Sequence, residues 1–335
     1  MKTNDKACLD RLLSVLDREW GTCGPEFLNA NKALAAAAGC RGALCVFSAS
    51  AALECILRAE NIGRGDEVVV AAWSDPVDSM TCAAVGAVPV FADVDPDTLT
   101  LSPNSVRAAV TPRTSAVIAD LPGSNPCAAA SLSALCREKG LFFIINAADA
   151  WGTELNGKRI IFYADAAFAD LGSGRLLDAG MAGAVLTDDA DEFEKFFAYH
   201  NCGRPQDEGA TLDFDSTMGG DLRIAEWQCA LIAENAGRIP EYLRERLEAF
   251  EKVAKTASPV PVVGGGKSSR CRTLVRGDRA ALEAAGLTVS RRFEFMPDAP
   301  VWNDPYYLKI TGAAAGDPGN FPVSERAARE AWLCQ

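Results

Sequence analysis

One histidine in 335 residues is the most restrictive shortage in this chain. It disfavours a hydrolase built on a Ser-His or Cys-His arrangement, because such sites need an imidazole held by a third group. Cationic charge is short as well. Lysine and arginine total 33 against 45 aspartates and glutamates, a formal net charge of −12, which repels phosphate backbones and anionic lipid. Nucleic acid and membrane surfaces are therefore poor partners, and no run of about 18 apolar residues offers a bilayer span. The twelve cysteines include no C-x-x-C pair. Structural zinc, which wants closely spaced Cys/His ligands, is not expected; the cysteines read as reduced, mostly buried thiols of a cytosolic protein.

What is present describes an ordinary soluble protein, 49% hydrophobic and 23% charged. The first twenty residues are charged throughout and read as an amphipathic helix with Leu9, Leu12, Leu13 and Leu16 on one face, rather than as a signal peptide. A second helical pattern closes at Gly39. ALCVF (43–47) reads as a buried strand, followed by a helix over 48–63 entered through Ser48 and Ser50. A strand running into such a helix start is an anion cradle or a plain N-cap, and the segment alone favours the cap. Further strands are expected at EVVVAAW (67–73), 87–95, 115–120 and 141–146, with helices between them, one carrying Pro76 in its first turn. Alternation of this kind predicts a doubly wound, mainly parallel sheet, in which ligands sit at the carboxyl ends of the strands. Those ends are Ser48–Ser50, Trp73–Asp75, Asp120–Gly123, Asn146–Asp149 and Asp170–Arg175. Residues 222–255 read as helical with a bend or break at Pro240, and 259–269 as a boundary or flexible loop. A strand at 270–275, a helix at 279–286 and a Pro-rich aromatic tract at 293–307 suggest a small α+β domain. The expected division is a large domain at 1–240 and a small one at 241–335. No internal repeat or low-complexity segment is present.

In order, GDEVVVAAW, GAVPVFADVDPDTLTL, TPRTSAVIADLPG, NAADAWG, AGAVLTDD, GGDLRIAEWQCALI and FPVSERAAREAWL resemble the nucleotide-sugar aminotransferase family (DegT/DnrJ/StrS type) of pyridoxal-phosphate (PLP) fold type I. The resemblance runs from about Gly21 to the C-terminus. It implies a large α/β domain with a small C-terminal domain, a dimer with sites shared between subunits, and PLP held as a Schiff base on a lysine. The chain stops just after AAREAWLCQ, where relatives continue into a last helix.

The positions that would make the cofactor site depart from the family's pattern. Aligning Gly180 and Gly183 with the family's glycines puts Arg175 on the Schiff-base lysine, and a guanidinium has no lone pair to attack an aldehyde. The aspartate expected at the pyridine nitrogen is Asn146 in NAAD, which ends at Asp149; a neutral amide weakens the electron sink. The ring-stacking aromatic falls at Asp75, two places after Trp73, and the phosphate-binding serine five residues before the lysine falls at Asp170. The S-G-T-x-A-L helix start becomes SASAAL, keeping Ser48 and Ser50 and replacing the glycine with Ala49. An asparagine supplied by the partner subunit is Asp221, and the N-H-G-R turn becomes Asn201-Cys202-Gly203-Arg204. On this reading PLP is not an expected cofactor.

Three functions follow. One is a non-catalytic scaffold or partner subunit in sugar, polysaccharide or natural-product biosynthesis, a cytoplasmic homodimer or the heterodimeric partner of an active paralogue, with a small sugar-like ligand as a candidate. In that case Arg175 pairs with a neighbouring aspartate. Another is an enzyme of altered, PLP-independent chemistry, using Asp120, Asp149 or Asp170 as acid/base groups and Arg175 as an anion clamp. The third is a conventional aminotransferase in a different register, with Lys158 and Lys195 the nearest lysines.

Overall fold

The structure, a computed structural model, describes residues 6–18, 21–206, 219–290 and 321–334; the aromatic tract at 293–307 lies outside them. In chain order the elements begin with α1 (Lys6–Leu16), α2 (Pro25–Ala38), β1 (Gly42–Val46), α3 (Ala49–Ala59) and β2 (Glu67–Ala71). Next come α4 (Pro76–Val85), β3 (Val88–Ala92), α5 (Pro103–Ala109), β4 (Thr114–Asp120), α6 (Ala129–Lys139) and β5 (Phe142–Asn146). A short hairpin, β6 (Glu154–Leu155) and β7 (Lys158–Arg159), precedes β8 (Ala166–Asp170), β9 (Gly183–Thr187), α7 (Ala190–His200), α8 (Glu226–Ala236) and α9 (Ile239–Thr256). The last elements are β10 (Gly266–Lys267), β11 (Thr273–Arg276), α10 (Arg279–Ala284), β12 (Val289–Ser290), α11 (Pro322–Glu330) and β13 (Ala331–Cys334). The helical pattern over 222–255 thus divides into α8 and α9, with Pro240 in the first turn of α9, where its missing N–H costs no hydrogen bond.

The fold is α/β with a mainly parallel sheet, and the chain forms two compact units. One comprises 62–164 and 243–335. Its strands β2, β3, β4 and β5 are all parallel, ordered β5-β4-β2-β3. Every residue of β2 (EVVVA) is buried, as β-branched runs covered on both faces require. Helices fill the crossovers: Asp75 caps α4, Pro76 opens it, and Gly86 at φ 92° closes it in the left-handed conformation that a side chain would strain. In the same unit, antiparallel β11, β13 and β12 enclose Val253, Val275, Leu282, Val289, Trp332 and Cys334. The 259–269 stretch, expected as a boundary or flexible loop, is tied down. The Asn125 amide donates to the carbonyls of Val260 and Pro261, and β10 pairs with β6.

The other unit comprises 1–61 and 165–242. There β9 runs antiparallel to both β1 and β8, and α2 and α8 pack together. The buried Glu226 at the start of α8 accepts hydrogen bonds from the backbone N–H groups of Gly24, Glu26 and Phe27, which caps α2 from a distance. Helix α1 is oriented against expectation. Cys8 and Val15 are its buried positions, whereas Leu9, Leu13 and Leu16 are 46%, 60% and 69% exposed. The reason is ionic: Arg11 bonds Glu26 (2.5 Å) and Glu234 (3.4 Å), Arg18 bonds Glu26 (3.3 Å), and the leucine stripe turns outward.

Candidate functional site

Strand β8 delivers the first group of predicted residues. Its first four residues are buried, and Asp170 stands half-buried at its end. Asp170 Oδ1 accepts the N–H of Gly172 at 2.8 Å, and Oδ2 accepts Arg175 Nε at 2.7 Å. The backbone N–H of Arg175 returns to the carbonyl of Gly172 at 3.1 Å, so the turn is closed by a main-chain bond as well as by the Asp170–Arg175 pair. The pair is largely shielded, with 16% of the Arg175 side chain and 24% of the Asp170 side chain exposed. A charge-assisted bond in such surroundings is stronger than a neutral one. Downstream, Asp178 accepts the N–H groups of Gly180 (3.0 Å) and Gly174 (3.4 Å). Burial alone raises its carboxyl, and these amides outweigh burial and hold it below the usual range. Gly183, at the start of β9, lies against the entry of α3: a Cβ there would sit 2.3 Å from the Ser48 carbonyl oxygen, so no side chain fits.

At that entry Ser48 Oγ accepts the Ala51 N–H at 3.0 Å and lies 3.1 Å from Ser50 Oγ. Ser48 is thus an N-cap, Ala49 is the first residue of α3, and the capping interpretation holds. Asp221 pairs with Arg223 at 2.8 Å, and that bond holds its carboxyl below the usual range. Asn201 bridges to Asp221 through the backbone, joining the Asn201–Arg204 turn to the 219–223 segment.

The strand ends of the parallel sheet carry the second group. Trp73 is buried. Asp75 Oδ1 accepts the Val77 N–H (3.1 Å) as the cap of α4, and the Asp75 N–H donates to Asp120 Oδ2 (3.1 Å). Asn146, 1% exposed, donates from Nδ2 to Asp78 Oδ1 (2.9 Å) and accepts the Ala148 N–H at Oδ1 (3.1 Å). Asp149 faces Arg272 at 3.8 Å.

Ser48, Ala49, Ser50, Asp170, Arg175 and Asp221 therefore belong to one unit, and Asp75, Asp120, Asn146 and Asp149 to the other. Each of the acids among them has a hydrogen-bonding or ionic partner inside its own unit. The partners Asp78, Arg223 and Arg272, and the turn-closing Asp178, were not legible as site residues. Asp78 shows only as an acid in a helix's first turn, and Arg272 is more than a hundred positions from Asp149. Of the two nearest lysines, Lys158 is exposed in β7, and Lys195 is bonded to Glu60 (3.1 Å) and Glu192 (2.9 Å).

Comparison with known proteins agrees with this architecture. The profile of the DegT/DnrJ/EryC1/StrS aminotransferase family matches residues 2–269. The 3-amino-5-hydroxybenzoate synthase of Amycolatopsis mediterranei (strain S699) is 30% identical over 299 residues, covering 86% of this chain and 75% of that protein. The L-glutamine:2-deoxy-scyllo-inosose aminotransferase of Streptomyces paromomycinus is 34% identical over 314 residues, covering 84% and 74%. Among solved structures, S. venezuelae DesV in complex with a ketimine intermediate superposes with a TM-score of 0.86 at 26% identity, covering 98% of this chain and 88% of the other. A 3-amino-5-hydroxybenzoic acid synthase structure superposes with a TM-score of 0.87 at 25% identity, covering 99% and 91%. The chain has the fold type I architecture of PLP-dependent aminotransferases and belongs to the DegT/DnrJ/EryC1/StrS aminotransferase family.

Proposed function

We propose that this chain is a non-catalytic member of its family, a scaffold or partner subunit in the biosynthesis of amino-sugar-like or polysaccharide products. The observation that carries the reading is the bond between Asp170 and Arg175, two side chains that replace the serine and lysine of the family's pattern and satisfy each other. The donor set does not fit PLP. A guanidinium cannot form the Schiff base. Asn146 has both ends of its amide engaged and carries no charge for a pyridinium. Asp170 beside a phosphate dianion adds repulsion on the order of several kcal/mol in a partly buried site. No catalytic step through the cofactor is derived for this chain. The pathway class is taken from relatives such as the Bacillus subtilis spore coat polysaccharide biosynthesis protein SpsC, 28% identical over 333 residues, and from the inosose aminotransferases.

The alternative of acid/base chemistry by Asp120, Asp149 or Asp170 needs carboxylates available to a substrate, and the internal bonds of all three speak against it. The test is direct. Protein purified with excess PLP, reduced with borohydride and digested is expected to carry no PLP-modified lysine by mass spectrometry, and to move no amino group from L-glutamine to keto-sugar nucleotides or inososes. A reduced adduct on Lys158, Lys195 or any other single lysine in high yield overturns the proposal and restores a conventional aminotransferase.

A further inference from the structure

Asn146 ends β5, and Asp78 lies in the first turn of α4; both are essentially buried, at 1% and 0% exposure. Their side chains meet at 2.9 Å, amide Nδ2 to carboxylate Oδ1, and the other end of the amide accepts the Ala148 N–H. The orientation of the amide is fixed by this pair of bonds, since a carboxylate only accepts and a backbone N–H only donates. The first turn of a helix favours negative charge, which suits Asp78 to the acidic role. An aspartate at 146, which the family's pattern expects, would set two buried carboxyl groups against each other, and one of them would have to keep a proton.

We propose that Asp78 is the positioning residue that orients the Asn146 amide and demands a hydrogen-bond donor at position 146, so that the acid of this layer stands on helix α4 and not at the strand end. The two positions exchange as a unit. An aspartate at 146 is tolerated only when 78 supplies a donor, and Asn146→Asp alone breaks the layer. Other titratable groups in this neighbourhood are the Cys82 thiol, one turn further along α4, Asp120, which is in register with Asn146 on β4, and Asp75, whose backbone N–H donates to Asp120. The inference concerns the unliganded protein and does not rest on the absence of catalysis: a PLP adduct would overturn the proposed function and leave this pairing intact.

The test is a double-mutant cycle in the full chain, read as urea unfolding midpoints at pH 5.5 and pH 8 without added cofactor. Asp78→Asn keeps an acceptor for the Asn146 amide, and its midpoint is expected close to wild type. In Asn146→Asp the carboxyl pair holds a shared proton, so stability is present at low pH and lost as pH rises. Its midpoint is expected well below wild type at pH 8, with part of the loss regained at pH 5.5. In the double variant the amide introduced at position 78 donates to the carboxylate introduced at position 146, and the midpoint returns toward wild type at both pH values. Where Asn146→Asp alone fails to fold at pH 8, a folded double variant gives the same answer. A wild-type midpoint for Asn146→Asp at pH 8, or a double variant no more stable than Asn146→Asp, overturns the inference.

Discussion

His200, the one histidine of the chain, is fully buried at the end of α7, stacked on Phe27 with ring centroids 5.5 Å apart and against Phe197 at 5.2 Å. Its Nδ1 faces the Phe197 carbonyl at 3.1 Å, and its Nε2 has no partner among the described residues. Burial pushes the imidazole down to about 4, against an ordinary value near 6.5. A group depressed on folding contributes stability that is complete above its unfolded value and is lost as pH falls through its folded value. The His200 contribution lost on acidification from about pH 6.5 to 4 is therefore expected to be about 3 kcal/mol. His200→Phe, which keeps the stack, is expected to lose that contribution, so the difference in unfolding midpoint between wild type and variant changes with pH over that window. Glu192, whose carboxyl is pushed up to about 7 by burial and the neighbouring Glu60, acts with opposite sign in the same window. Glu26 and Glu67, held below the usual carboxylate range by their arginine partners against the opposing effect of burial, lose their contribution below about pH 4.5. All three are common to wild type and variant and cancel in the difference between them. At this scale the sequence is informative where a residue acts on its chain neighbours. Ser48 and Asp75 cap the helices they precede, as small polar residues before a helical run should. It is silent where the partner comes from elsewhere in the chain, as with Asn146 and Asp78 or Asp149 and Arg272.

The same division holds for whole elements. The strands were legible because runs such as EVVVA and FFIIN are β-branched or aromatic, apolar and bounded by turns, and such a run has one good place to go. Helix α1 was legible as a helix but not in its orientation. Periodicity places Leu9, Leu13 and Leu16 on one side; it does not say that three carboxylate contacts to Arg11 and Arg18 will hold the opposite side inward. The consequence is measurable. Leu13→Lys is expected to change unfolding free energy by no more than about 0.5 kcal/mol, as an exposed position does. Arg11→Met leaves the nearly buried Glu26 with fewer donors and is expected to cost about 1–3 kcal/mol. Equal effects of the two substitutions, or a larger effect at Leu13, would contradict the orientation described for α1.

For the whole molecule, family membership and the proposed loss of catalysis separate along physical lines. The residues that make the fold recognisable are those packing cannot spare: Gly183 against the Ser48 carbonyl, the buried parallel strands, and Asp93 just after β3, which accepts the N–H groups of Val323 and Ser324 and the Ser324 hydroxyl at the start of α11. On the proposed reading Arg175, Asp170 and Asn146 are departures at positions where a ligand would set the requirement. Association of subunits draws on apolar area, which these departures do not touch. The purified chain is accordingly expected to run as a homodimer, at twice its 35.5 kDa mass by light scattering. A monomer that becomes a dimer only when mixed with an active relative would instead identify it as a partner subunit.

The closed turn from Asp170 to Arg175 carries a consequence for the protein's life in the cell. A cofactor that binds only the native state stabilises it in proportion to the logarithm of its concentration, which ties the abundance of an ordinary PLP enzyme to supply of the vitamin. Here Asp170 takes both the Gly172 amide and the Arg175 guanidinium, and the work of tying down that turn is done by the polypeptide itself. On the proposed function its melting temperature is expected to be the same with and without added PLP, and its turnover in cells starved of vitamin B6 unchanged, while PLP-binding proteins in the same cells become shorter-lived.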